Sequence, residues 1–220
     1  MKRNNQDRMM GGHKPQPTED APKMANPLDF VTPTEFVELP SKGRYPTGHP
    51  LAGQDTIEIR YMTAKDEDLL TNRSLLKKGL AIERLLQNLI KDNTINASDL
   101  YIGDRNAILI YARASAYGND YKTKIACPSC SEVSKHSFDL NNHTTYHGDD
   151  YEDTGVTMTE NMTFKTVLPL STIEAEIRPL MGSDEMAMVK KNKNTKNMTN
   201  LITDQMKYFV VSFNGYSDKK

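Results

Sequence analysis

The chain has 220 residues, 37% of them apolar, with no Trp and a mean hydropathy of −0.66, which is lean for a globular protein. Lys and Arg number 28 against 29 Asp and Glu, a formal net charge of −1, which excludes both a basic coat for nucleic acid and a polyacidic tail. Two Cys cannot build a disulfide framework, no run reaches the roughly eighteen apolar residues of a membrane span, and no apolar stretch opens the chain as a signal peptide would. A soluble protein of a reducing compartment is expected.

In chain order, residues 1–34 read as a disordered arm. Pro15, Pro17, Pro22 and Pro27 punctuate mixed charge, and apolar residues are too sparse to offset the entropy of ordering. Residues 35–220 read as one domain, divisible into sub-units at 35–120 and 121–215. Phe36–Leu39 is a short strand stopped by Pro40. Thr56–Met62 alternates apolar and polar residues, so a second strand is expected to pair with it as a hairpin.

Helices follow. Thr63 and Asp66 form a capping-box-like start with Asp in place of Glu, and Leu69, Leu70, Leu75 and Leu76 give an apolar face that ends at Gly79. A second helix over 80–91 carries Ile82, Leu85, Leu86, Leu89 and Ile90 on one stripe. Asp104 is read as the cap of a third helix, Arg105–Tyr117, with Gly118 just past its end.

Tyr121–Ala126 and Val133–Leu140 read as strands around the turn Cys127-Pro128-Ser129-Cys130, and the Asn-, Thr- and acid-rich stretch 141–161 as a loop. Met162–Leu168 and Thr172–Arg178 suggest another hairpin. Ser183 is placed as the cap of a helix over Asp184–Lys190, the lysines beyond it form a solvated linker, and a last helix runs over Thr199–Phe213. No internal repeat of solenoid type is present. The expected class is α+β: an N-terminal β-hairpin, central helices, a CxxC-bearing β-hairpin and a C-terminal helix.

The Cys pair is the most chemical feature. Cys127 and Cys130 could grip one zinc ion, and His143 and His147 complete a C-x2-C-x12-H-x3-H string that formally fits a two-Cys, two-His finger. Against it, Ser134 stands where such a finger needs an aromatic residue, and Asp139–Tyr146 is a poor helix. Asp139, Asp149, Asp150, Glu152 and Asp153 would repel DNA phosphates. A redox dithiol would need Cys at a helix start rather than between strands. A simple hairpin turn whose cysteines merely pack is the third option. No Gly-x-Ser-x-Gly, phosphate loop or acid–base pair is present, so no enzyme is expected. The acids Asp66, Glu67 and Asp68 complement a helix dipole.

The string Val37-Glu38-Leu39-Pro40-Ser41-Lys42-Gly43-Arg44-Tyr45-Pro46 is followed by Ile57–Glu67, Gly103-Asp104-Arg105, Arg113–Tyr121 and the Cys127–Cys130 turn. In this order it resembles the baseplate hub and hub-assembly proteins of T-even-type contractile-tailed phages, over about residues 36–215. The resemblance implies a late viral protein that builds the central hub, as a structural subunit or as an assembly factor absent from the finished particle. It implies no catalytic residue. The partners it implies are other baseplate hub and tail proteins. The location it implies is the host cytoplasm during assembly, with the virion tail baseplate as the second location. Neither a membrane, a nucleic acid nor a small-molecule substrate is expected as partner. The rival from another class is a zinc-finger-like regulator that binds nucleic acid.

Overall fold

The computed structural model describes residues 32–142, 144–148, 151, 154–194 and 201–217; the expected arm lies outside them up to residue 31. The fold is α+β. Strands β1 (Thr34–Glu38) and β2 (Thr56–Arg60) pair antiparallel, with Val37 opposite Ile57 and Glu35 opposite Ile59. Period-two alternation sends Val37, Ile57 and Ile59 to one face, where they are buried with Leu39. Pro40 cannot donate to a ladder and closes β1.

Four helices cover that face or extend from it: α1 (Ala64–Thr71), α2 (Arg73–Lys78), α3 (Ala81–Leu89) and α4 (Ile102–Tyr117). The main core joins the hairpin to Leu86, Ile90, Ile95, Leu100 and Ile108, and a second cluster holds Leu85, Leu89 and Ala112. The expected stripe on α3 is therefore real, except that Ile82 stays exposed. The single helix expected up to Gly79 is broken at Asn72. Its side chain accepts from the N–H groups of Ser74 and Leu75 and starts a new helix there.

The Thr63–Asp66 start is present and does more than cap. Asp66 is fully buried. Its carboxylate accepts from the Thr63 N–H at 2.9 Å, the Thr63 hydroxyl at 2.8 Å and both arms of the Arg60 guanidinium at 2.7 and 2.9 Å. Burial by itself would raise this carboxyl. The Arg60 fork and the Thr63 donors outweigh it and hold Asp66 well below the usual carboxylate range. A depressed folded-state value means the stabilisation is complete above the unfolded carboxyl value, about 4, and is lost as pH falls below it. Urea unfolding at about pH 7 and pH 3 should therefore show a larger acid loss in the wild type than in Asp66→Asn, which starts less stable. Equal acid losses would refute the assignment.

Asp104 is not the cap of α4. The helix begins at Ile102, with Tyr101 at the N-cap position, so Asp104 sits inside the first turn. Its carboxylate points away from its own helix into the β1–β2 loop, as described below. Arg105, also buried, donates to Glu83 at 2.8 Å and to the Ala97 carbonyl at 2.6 Å, and lies 3.7 Å from Glu185.

After α4 come β3 (Asp120–Ala126) and β4 (Val133–Asp139), a two-stranded antiparallel sheet. The remaining strands are β5 (Thr157–Met158), β6 (Phe164–Val167), β7 (Glu174–Ile177) and β8 (Val210–Phe213), in the sheet order β5-β6-β7-β8. Between β7 and β8 lie α5 (Gly182–Asn194) and α6 (Leu201–Phe209). Three expectations change here. Ser183 lies within α5 rather than capping it, and α5 continues beyond Lys190 to Asn194, into the expected linker. The loop expected over 141–161 contains β5. The last helix stops at Phe209, and Val210 turns into β8, because β7 offers an edge and the β-branched Val210 and Val211 suit a strand. Backbone bonds from Ile102 to the Leu180 carbonyl and from Gly182 to the Leu100 carbonyl, each 3.0 Å, join this sheet's crossover to the core.

Candidate interaction surface and the Cys127–Cys130 turn

The β3–β4 hairpin carries its two aromatic residues on one side and its three lysines on the other. Directly opposed residues share a face, so Tyr121 with Phe138, Thr123 with His136, and Ile125 with Ser134 make one side. The other carries Lys122 opposite Ser137 and Lys124 opposite Lys135. Arg113, at the end of α4, lies over the rings of Tyr117 and Tyr121 at 5.0 and 5.8 Å, anchoring the hairpin's base. Ser137 bonds Asp120 across the strands. Tyr121, Ile125 and Phe138 nevertheless remain exposed. A lone two-stranded hairpin is marginal in water, and this apolar side is available to another chain.

At the hairpin tip the structure brings Cys127 and Cys130 together as free thiols. The Cys127 thiol lies below the ordinary cysteine value. The largest cause is the Cys130 backbone N–H aimed at its sulfur, then that of Ser129, with the Cys130 thiol adding to them. Ser131 in the left-handed region, φ 60, lets the turn close. Of the two expected imidazole partners, His147 is described. His147 has one ring nitrogen 3.2 Å from the Pro40 carbonyl and the other 3.1 Å from Glu38, and its own carbonyl accepts from Arg44 at 2.8 Å. It ties the segment after β4 to the N-terminal hairpin. His143 lies outside the described residues. Among the described residues no third His, Cys, Asp or Glu joins the thiol pair. Two thiolates are half of the four ligands a structural zinc takes.

Sequence reasoning missed the polar assembly at the β1–β2 loop. The Asp104 carboxylate accepts from the Ser41 N–H at 3.0 Å, the Ser41 hydroxyl at 2.7 Å and the Tyr45 hydroxyl at 2.6 Å. The Tyr45 oxygen in turn accepts from the Tyr101 N–H at 3.0 Å. The Tyr45 ring is stacked between His49 and Tyr101, with centroids 4.1 and 4.2 Å away. Burial first, and the Asp104 charge second, push the Tyr45 hydroxyl far above an ordinary tyrosine, and burial raises Tyr101 to about 12. Both hydroxyls stay protonated. The signal was present in the sequence as the turn string Pro40–Tyr45 and the pair Asp104-Arg105, but nothing local joins them across 63 residues.

Ser41, Tyr45 and Asp104 of this latch and Arg60, Thr63 and Asp66 of the buried carboxylate site all belong to the ordered series noted above. A model of the T4 bacteriophage base plate protein family matches residues 32–208. The chain belongs to that family. The match takes in the β1–β2 hairpin, all the central helices and the Cys127–Cys130 hairpin, and it runs through α5 into α6. Neither the curated proteins nor the solved structures contain a significant match to this baseplate-family chain. Among its described residues no helix is long and apolar enough to cross a membrane. Its membership makes it a viral baseplate protein.

Proposed function

We propose that this baseplate protein acts in the central hub of the tail, as a subunit or an assembly factor, and that it works by adhesion to other tail proteins rather than by catalysis. The observation that carries the reading is the distribution of its apolar surface. The core is concentrated between residues 37 and 112; large apolar side chains stay exposed beside it at Phe36 and Leu76 and, more often, in the second half, at Tyr121, Ile125, Phe138, Val167, Ile202 and Tyr216. Leu170 is 100% exposed at the β6–β7 turn. Large apolar side chains left open in this way mark surfaces that another protein covers. The buried polar groups support the same reading. Asp66, Asp104 and Arg105 are all engaged in holding elements together, and among the described residues no buried side-chain polar atom is unpartnered. They are architectural. The described Ser134 hydroxyl that lies 2.7 Å from a His136 ring nitrogen sits on the exposed strand β4, outside the solvent-excluded setting in which a hydroxyl–imidazole pair becomes a nucleophile.

The test is affinity capture of the tagged full-length chain from phage-infected cells, with mass spectrometry of purified particles beside it. Other baseplate and tail proteins should be captured with it, and their capture should fall when Tyr121→Glu and Phe138→Glu are introduced into the exposed side of β3–β4. Capture of no tail protein would overturn the proposal. Stoichiometric zinc together with steeply salt-sensitive DNA binding would replace it with the nucleic-acid reading.

A further inference from the structure

The tip of the β3–β4 hairpin holds more order than a turn needs. Pro128 fixes its own φ and carries no N–H. The next two N–H groups, of Ser129 and Cys130, both aim at the Cys127 sulfur. The Cys130 thiol bonds that sulfur as well, so the two sulfurs stand side by side, as two ligands of one tetrahedral zinc do at about 3.8 Å. The turn is closed twice around them. The Cys127 N–H donates to the Glu132 carbonyl at 2.9 Å, and the Ser131 N–H donates to the Cys127 carbonyl at 2.8 Å. Two residues in a tight turn would suffice to reverse the chain. Here residues 127–132 form a loop whose N–H groups converge on a thiol. Fixed donors of that kind orient a metal-bound ligand and stabilise its charge.

The pair lacks two ligands, and the register of the hairpin limits where they come from. The rungs run from Ala126–Val133 at the tip to Asp120–Asp139 at the base, a length of roughly 20 Å at the usual rise per residue. The chain leaves β4 at the base, where the Leu140 N–H donates to the Asn119 carbonyl, and His147 is held beyond it by Pro40 and Glu38. The tip lies at the far end and is open. Cys130 is exposed, as is every residue from Pro128 to Asp139. Ile125 and Val133, on opposite sides of the last two rungs, are 45% and 59% exposed beside the thiols. Lys124 and Lys135 face each other on the third rung from the turn. Such a like-charge pair costs stability by itself and is placed to meet an anionic centre at the tip.

We propose that Cys127 and Cys130 are half of a four-thiolate zinc site, completed by the same two residues of a second copy of this chain, so that one zinc ion joins two copies tip to tip. A two-fold axis through the metal makes the contact self-complementary. Four thiolates satisfy a structural zinc and leave the centre with excess negative charge. Lys124 and Lys135 of both copies surround that charge, and Ile125 and Val133 of both copies are covered around it. The donors select the metal, because paired soft sulfurs suit zinc and not magnesium or calcium. The inference is separate from the adhesive role proposed above. It concerns copies of this chain and leaves Tyr121 and Phe138, near the base of the hairpin, open to tail proteins.

The test uses the full-length chain, purified with a phosphine reductant from cells grown with zinc. Metal analysis and native mass spectrometry should find a dimer with one zinc per two chains. Phenanthroline or EDTA should return it to monomers, and added zinc should restore the dimer. Cobalt in place of zinc should give the thiolate-to-metal absorption of a tetrahedral four-sulfur site, which a merely structural turn cannot produce. Cys127→Ser with Cys130→Ser should bind no zinc and stay monomeric, with the thermal midpoint of the chelated wild type, because the tip is exposed. The chelated wild type keeps the test independent of how that variant folds. A protein free of zinc would overturn the site. One zinc per monomeric chain would overturn it too, by placing all four ligands within one copy. So would a dimer that survives the chelator or the double substitution.

Discussion

Asp104→Ala should be among the most damaging single substitutions in this protein, lowering stability by about 3–5 kcal/mol. The carboxylate is fully buried and gathers three donors from a loop 59 to 63 residues away: the Ser41 N–H, the Ser41 hydroxyl and the Tyr45 hydroxyl. Alanine leaves all three facing a void. Each unsatisfied buried donor costs about 1–3 kcal/mol, and relaxation of the loop keeps the total below the sum. The charge is also well placed where it is, in the first turn of α4 at the positive end of the helix dipole. Tyr45→Phe removes one of the three donors and orphans the Tyr101 N–H, so a smaller loss of about 1–3 kcal/mol is expected. The double variant should lose less than the sum of the two, because the groups share one network. Urea midpoints of the four proteins measure all of this. An Asp104→Ala protein within about 1 kcal/mol of wild type would show that the latch does not hold the loop.

Gly43→Ala should cost about 2–5 kcal/mol, from two separate causes. The residue has φ +68, in the left-handed region, where a side chain costs about 1–2 kcal/mol. A Cβ there would also stand 2.4 Å from the backbone N and O of Gln54, a collision with main chain that only a shift of the loop relieves, at about 1–3 kcal/mol more. That shift would drag Ser41 and Tyr45 away from Asp104. Gly53 is the internal control. Its φ of +74 is similar but nothing lies within 4 Å of its Cβ position, so Gly53→Ala should cost only the conformational part. If calorimetry finds equal losses for the two, close approach of Gln54 is not what the position requires.

Much of the local structure was legible because its cause is local. Alternation over Thr56–Arg60 marks a half-buried strand, Thr63 with Asp66 marks a helix start, and Gly79 and Gly118 stand where α2 and α4 end. Cys127–Cys130 between two strand-like runs is a hairpin turn, as its spacing implies. The errors came where two kinds of information compete. Leu201–Phe213 has helical periodicity throughout, yet Val210–Phe213 pairs with β7, because an available strand edge outweighs a weak propensity. Asp104 is an ordinary capping residue by position, and its true partners lie in another element. Asn72 caps α2 in the middle of what looked like one helix, because a side-chain oxygen that reaches two N–H groups can restart a helix.

The order of residues alone established an α+β chain, three of its hairpins, the start of α1 and membership in a phage baseplate family, since periodicity, capping and motif order are properties of neighbours along the chain. The folded molecule alone decided that Asp104 closes the Ser41–Tyr45 loop, that His147 ties the segment after β4 to the N-terminal hairpin, and that Val210–Phe213 pair with β7. Each of those depends on groups brought together from distant parts of the chain.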